Sequence, residues 1–128
     1  MTEPCWPDGS VTPIVVRYSE CDPVGVAHHA AYVVWLEQAR TDRLKQFSTA
    51  YRALEEMGIY FVVARLNIRY QKPARYDDHL HVHTRVAAVG RVKIDHEYRI
   101  YRGKALLTTA QTTIVCVDGE GKVQPVPD

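Results

Sequence analysis

Several things are scarce in this chain. Its 128 residues hold only three cysteines, Cys5, Cys21 and Cys116, with no CxxC spacing among them. That pattern makes neither a disulfide framework nor a zinc site, so reduced thiols are expected. Neither sign of charge is in excess: 16 Lys/Arg face 15 Asp/Glu, a formal net charge of +1. Bulk charge of that size excludes a generic polyanion binder, and no nucleic-acid partner is expected. No apolar run approaches the ~20 residues that span a bilayer, so no membrane insertion is expected. The opening Met1-Thr2-Glu3-Pro4-Cys5-Trp6 lacks the basic and apolar regions of a secretory signal, and the expectation is a cytoplasmic protein. There is no internal repeat and no low-complexity segment.

What is present fits one ordinary domain over residues 1–128. The chain is 46% hydrophobic and 24% charged, enough to bury a core and not enough charge for disorder. A Pro/Asp/Gly-rich leader over about 1–10 and a Pro-rich tail over about 119–128 read as loose ends. Val11 to Tyr18 alternates and is β-branched, which predicts a strand. Ser19 to Gly25 is a turn sequence, and Ala30 to Phe47 predicts a helix free of Pro and Gly. Its Tyr32-Val33-Val34-Trp35-Leu36 stretch is apolar nearly all round, so something broad is expected to cover it. A shorter helix is expected over about Thr49 to Met57, with Gly58 as its stop.

Four alternating runs follow. Val62, Ala64, Leu66, Ile68 and Tyr70 share one face; Leu80 to Ala88, Val92 to Ile100 and Ala105 to Val117 complete the set. One-face-apolar strands need a cover, and the long helix is the only large one available. The expected fold is α+β, an antiparallel five-stranded sheet wrapped around a long central helix. One helix cannot cover such strands completely and a sheet has edges, so a homo-oligomer is expected.

Chemistry concentrates between Arg17 and Tyr32. An acid (Asp22), two imidazoles (His28, His29) and a phenol (Tyr18) precede the predicted helix. A helix N-terminus carries unpaired N–H groups and a partial positive charge, which suits a developing oxyanion. Asp22 can attack a carbonyl or activate water there; equally, Asp22-Pro23 can be a plain turn and His29 a cap. Cys21 is a thiol candidate if His28 or His29 acts as its base. Glu37 is a second carboxylate candidate, read as an ion pair with Arg40. His79, His81 and His83 alternate on one strand face but lack a carboxylate or Cys to complete a metal site. Residues 65–104 hold ten Lys/Arg against four Asp/Glu, a local excess of +6 that suits a phosphate-bearing ligand.

The motif itself is distinctive. Tyr18, Asp22-Pro-Val-Gly25-Val26, His29-Ala30-Ala31-Tyr32 and Trp35-Leu-Glu37-Gln-Ala39-Arg40, followed by Arg69 to Asp78, resemble the 4-hydroxybenzoyl-CoA thioesterase-like family of hotdog-fold acyl-CoA thioesterases. The similarity spans roughly residues 12–118. It implies hydrolysis of an acyl-CoA thioester by a homodimer or a tetramer, with no cofactor and no metal. It implies that Asp22 is the nucleophile or general base, with His29 and Tyr18 in the same site. Backbone N–H groups at Ala30, Ala31 and Tyr32 would bind the thioester oxygen. Arg91 and Lys93, then Arg69 and Lys72, are the candidates for the coenzyme A phosphates. Ala31 stands where the family often has Asn, and His28 where a bulky aromatic is frequent; both bear on acyl specificity. An acyl carrier protein thioesterase and a non-catalytic acyl-CoA-binding protein of the same fold are the alternatives.

Overall fold

The computed structural model describes residues 4–47 and 51–127. Strand β1 (Ser10–Val15) leads through a 3-10 turn (Tyr18–Glu20) to helix α1 (His29–Phe47) and helix α2 (Tyr51–Glu56). Strands β2 (Tyr60–Tyr70), β3 (His79–Val89), β4 (Lys93–Arg102) and β5 (Ala105–Val117) complete one antiparallel sheet in the order β1-β3-β4-β5-β2. The sheet carries α1 on one face, which is the hotdog arrangement expected from the sequence. Thr49 and Ala50, the predicted start of the second helix, lie outside the described residues.

Register explains which side chains meet the helix. Val82, Ile100 and Thr108 stand in one row across β3, β4 and β5, and Thr84, Tyr98 and Ala110 in the next. All six are buried. From α1, Ala31, Tyr32, Trp35, Leu36 and Ala39 close the core against them. Their i, i+1, i+4 spacing is one helical face. Each fully buried large apolar side chain contributes about 1.5–3 kcal/mol.

Four expectations differ from what is found. The first strand stops at Val15, because the Glu20 carboxylate accepts the Arg17 N–H (2.8 Å) and folds the chain into the 3-10 turn that holds Tyr18. Helix α1 is covered on one face only: Val33 and Val34 are 40% and 52% exposed. Glu37 lies on that open side, and it forms no ion pair with Arg40 among the described residues. Arg40 turns inward and donates to Tyr98 Oη at 3.1 Å. Finally, the apolar alternation of β2 is broken by a bulge between Val63 and Arg65. Val63 opposite Ile114 therefore shares the helix-side face with Leu66 opposite Thr112, and Val62 moves to the outer face.

Both chain ends make specific contacts where loose segments are expected. Trp6 is buried between the guanidiniums of Arg85 and Arg99, 4.9 and 4.8 Å from its ring, on the sheet face away from the helix. Cys5 N–H donates to His83 Nδ1 at 3.0 Å. In the tail, Val123 bridges Val117, and Gln124 donates to the carbonyls of Gly58 and Val117.

Candidate active site

The 21–28 loop is a small hairpin that ends where α1 begins. His28 N–H donates to the Glu20 carbonyl (2.8 Å), Cys21 bridges Ala27, and Asp22 N–H donates to Val26 C=O (2.9 Å). Gly25 turns the tip with φ +86°, a value that L side chains rarely adopt. The Asp22 side chain closes the turn: Oδ1 accepts the N–H groups of Val24 (2.9 Å) and Val26 (3.1 Å). No donor among the described residues reaches Oδ2. One carboxylate oxygen is thus spent on holding the loop. Asp22 is half-buried and fills the plain turn role.

The loop is fastened to the segment after β2. Ala27 N–H donates to Ala74 C=O (2.8 Å), Tyr76 N–H to Gly25 C=O (3.0 Å), and Val26 bridges Arg75. Ala74 N–H in turn donates to Tyr32 Oη at 3.1 Å. Burial raises the Tyr32 phenol above its ordinary value, so it stays a neutral acceptor. Asp78 caps the same segment, with Oδ2 accepting from Arg75 N–H (2.9 Å) and from Arg102 (2.8 Å).

His29 opens α1 and is exposed. Its ring stacks on Tyr70, with centroids 4.3 Å apart and planes at 18°, and Tyr70 Oη donates to the His29 carbonyl at 3.3 Å. Tyr70 also meets Tyr32 edge-on at 4.9 Å. Tyr18 is 78% exposed and packs edge-on against Tyr76 at 5.6 Å. The structure therefore brings Asp22, His29 and Tyr18 to one end of the molecule, around the Ala74 crossing. No hydrogen bond joins Asp22 to His29 or to Tyr18 among the described residues.

Of the three amides predicted to face the thioester oxygen, Ala31 N–H is already engaged by the His28 carbonyl at 3.0 Å. Ala31 and Tyr32 are buried, and Ala30 is the exposed one. The four cations separate as well. Arg69 and Lys72 flank Tyr70 at the Asp22 end. Lys93 begins β4 at the opposite end, where it pairs with Val115. The ten residues from Lys93 to Arg102 span about 30 Å along the strand. Arg91 lies in the turn just before it and accepts Val126 N–H through its carbonyl.

The thiol reading loses ground. Cys21 Sγ–H donates to the Arg17 carbonyl at 3.5 Å. Burial raises its pKa, and the charges of Asp22, Glu20 and Asp78 add to that. A protonated thiol ringed by three carboxylates is a poor nucleophile. The histidine row of β3 gathers no metal set among the described residues. His83 instead accepts from Cys5 and sits edge-on to Tyr101 at 5.1 Å.

Sequence reasoning did not find Tyr70 or Tyr76. Each reaches the site from a segment far away in the chain, and only the aromatic run at Tyr70 and Tyr76 hinted at them.

Residues 16–128 match the model of the thioesterase-like superfamily. The chain belongs to that superfamily. The hotdog thioesterase shares 38% identity over 120 residues with the acyl-CoA thioesterase YbgC of Haemophilus influenzae, covering 93% of this chain and 88% of that one. It is 36% identical over 108 residues to a putative acyl-CoA thioesterase, YneP, of Bacillus subtilis, covering 84% and 78%. Among solved structures it resembles a probable thioesterase from Bartonella henselae, with a TM-score of 0.89, 27% identity and coverage of 93% and 99%. It also resembles the DHNA-CoA thioesterase of Staphylococcus aureus, with a TM-score of 0.85, 33% identity and coverage of 92% and 79%.

Proposed function

We propose that this hotdog thioesterase hydrolyses an acyl-CoA thioester to the free acid and coenzyme A. The observation that carries the reading is the asymmetry of Asp22: Oδ1 is held by two loop amides, while no donor among the described residues reaches Oδ2, in the loop that leads into α1. The thioester oxygen binds the exposed amide at Ala30, where the helix field favours developing negative charge. Oδ2 then takes a proton from water as the water attacks the carbonyl, or it attacks the carbonyl itself to form an anhydride that a second-step water hydrolyses to the free acid and the restored carboxylate. In either route the C–S bond breaks and the thiolate leaves, to be protonated as coenzyme A. A thioester carbonyl is electrophilic enough that no Ser-His-Asp set is required. His29 and Tyr70 form the flat wall against which the acyl group lies, and Tyr18 closes the outer side.

The site is completed by a second copy. Antiparallel pairing of two β2 edges about a two-fold axis sets the Tyr60 end of one strand beside the Tyr70 end of the other. That places a 420 Å³ cleft lined by Glu37, Arg40, Tyr60, Phe61 and Val63 against the neighbouring Asp22 loop. It also carries the partner's Arg91 and Lys93 towards Arg69 and Lys72, which gathers cations for the coenzyme A phosphates. The experiment is thiol release from a panel of acyl-CoAs of different length and aromaticity, beside acyl carrier protein thioesters. Turnover of acyl-CoA is expected. Turnover of carrier-protein thioesters alone, or tight acyl-CoA binding with no hydrolysis, would replace this reading with one of its two alternatives.

A further inference from the structure

Glu20 holds the base of the Asp22 loop through an unusual number of contacts. Its side chain is only 9% exposed. Oε1 accepts Arg17 N–H at 2.8 Å. Oε2 accepts the indole N–H of Trp35 at 2.9 Å and the Arg17 guanidinium at 3.4 Å. Its carbonyl accepts His28 N–H at 2.8 Å, the bond that closes the loop one residue before α1. Trp35 is itself fixed, 2% exposed in the core on the buried face of α1. One residue thus ties the strand exit, the loop base and the helix together, two positions from Asp22.

We propose that Glu20 is a positioning residue: its carboxylate sets the distance between Asp22 and the first amides of α1. The inference rests on the thioesterase reading above. Its chemistry is specific to a carboxylate. Three donors converge on two oxygens, and an ionised carboxylate offers acceptors only. A glutamine of the same size would turn an NH2 towards either the Arg17 amide or the Trp35 indole. Burial works against the charge, but the hydrogen bonds from Arg17 and Trp35 outweigh it and hold the carboxyl below its ordinary value. Neither Glu20 nor Arg17 belongs to the apolar core, so losing the clamp shifts the loop while the sheet and helix stay packed.

The test is Glu20→Gln. Misplacing a reacting group by about 1 Å costs on the order of 100-fold. The expected result is a ~10- to 100-fold fall in kcat with KM within ~3-fold, in a protein that still unfolds cooperatively. Amide exchange at Val24, Val26 and His28 should quicken while the α1 and β4 amides stay protected. Trp35→Phe removes one of the opposed donors, so adding it to Glu20→Gln should lower kcat no further than Glu20→Gln alone. Wild-type kcat in Glu20→Gln, or a lowered Tm with unchanged kcat, overturns the proposal, as does a double variant whose losses multiply. If the wild-type protein hydrolyses no acyl thioester, the thioesterase reading fails by itself. The exchange rates then still judge the clamp, and unchanged rates at the three loop amides overturn it.

Discussion

The two carboxylate oxygens of Asp22 stand in different surroundings, and backbone geometry alone separates them. Val24 and Val26 hold Oδ1, and the loop they define would keep its shape with any side chain that presents an acceptor there. The neighbouring Cys21 shows the same economy in reverse. Its thiol has an acceptor in the Arg17 carbonyl and three acids nearby that oppose ionisation. Cys21→Ser preserves the donor to Arg17, and thiol release from an acyl-CoA should stay within about 2-fold of wild type. A loss above about 100-fold would restore the thiol as a nucleophile. At this scale the sequence shows what is local: Tyr18, Asp22 and His29 lie within 12 residues, and the fold keeps them at one end of the molecule. It was silent on Tyr70, which reaches His29 across 41 positions, because no local period encodes a stacking partner.

Elements are joined by a buried polar set between α1 and the sheet. Arg40 donates to Tyr98 Oη (3.1 Å), which shares a 2.6 Å hydrogen bond with Thr112 Oγ1. His96 lies beside them, 6.2 Å from Tyr98 ring to ring. Burial pushes its imidazole down from 6.5 to about 4, with the Arg40 and Arg43 charges adding to the effect. The unfolded chain takes up this proton near pH 6.5, and the folded chain refuses it until about pH 4. Stability from this group is therefore complete above about pH 6.5 and falls as pH drops through that window, by ~3 kcal/mol in all. Urea unfolding of wild type at pH 5.0 against pH 7.5 should show ~2 kcal/mol of this loss, and His96→Gln should lack it. Equal losses in both proteins would contradict the assignment. Glu20, whose carboxyl is lowered, acts only in a more acidic range and does not blur the comparison. The sequence predicted Arg40 to pair with Glu37 three residues earlier. Tyr98, 58 positions away, takes that role because Arg40 lies on the buried face and Glu37 on the open one. Element order and type were readable from periodicity, whereas the β2 bulge was not: inserting one residue exchanges the two faces without disturbing the alternating composition.

At the scale of the whole molecule, the single chain leaves apolar surface bare. β2 is an 11-residue edge strand whose Val62, Val63 and Leu66 are 49%, 49% and 40% exposed, and α1 leaves Val33 and Val34 open. A long apolar edge of this kind invites pairing. A charge at its centre should prevent it: Leu66→Lys is expected to give a monomer by light scattering and to lose at least ~100-fold in kcat/KM, because the 420 Å³ cleft and the Asp22 loop no longer meet. A dimeric or fully active Leu66→Lys would contradict the shared site. The expectation of an oligomer came from the sequence, since one helix cannot cover such a sheet. Which edge is open to such pairing is visible only in the strand order, which puts β2 beside β5 and leaves its other side bare among the described residues.

The proposed function stands on cleavage of the thioester by the Asp22 carboxylate. Asp22→Asn tests it most directly, since the amide oxygen can still accept from Val24 and Val26 and the loop can keep its form. With the acyl-CoA that the wild type turns over fastest, kcat for Asp22→Asn should fall by ~1000-fold or more, with KM within a few-fold and unfolding unchanged. A variant that keeps kcat within about tenfold of wild type would contradict the account.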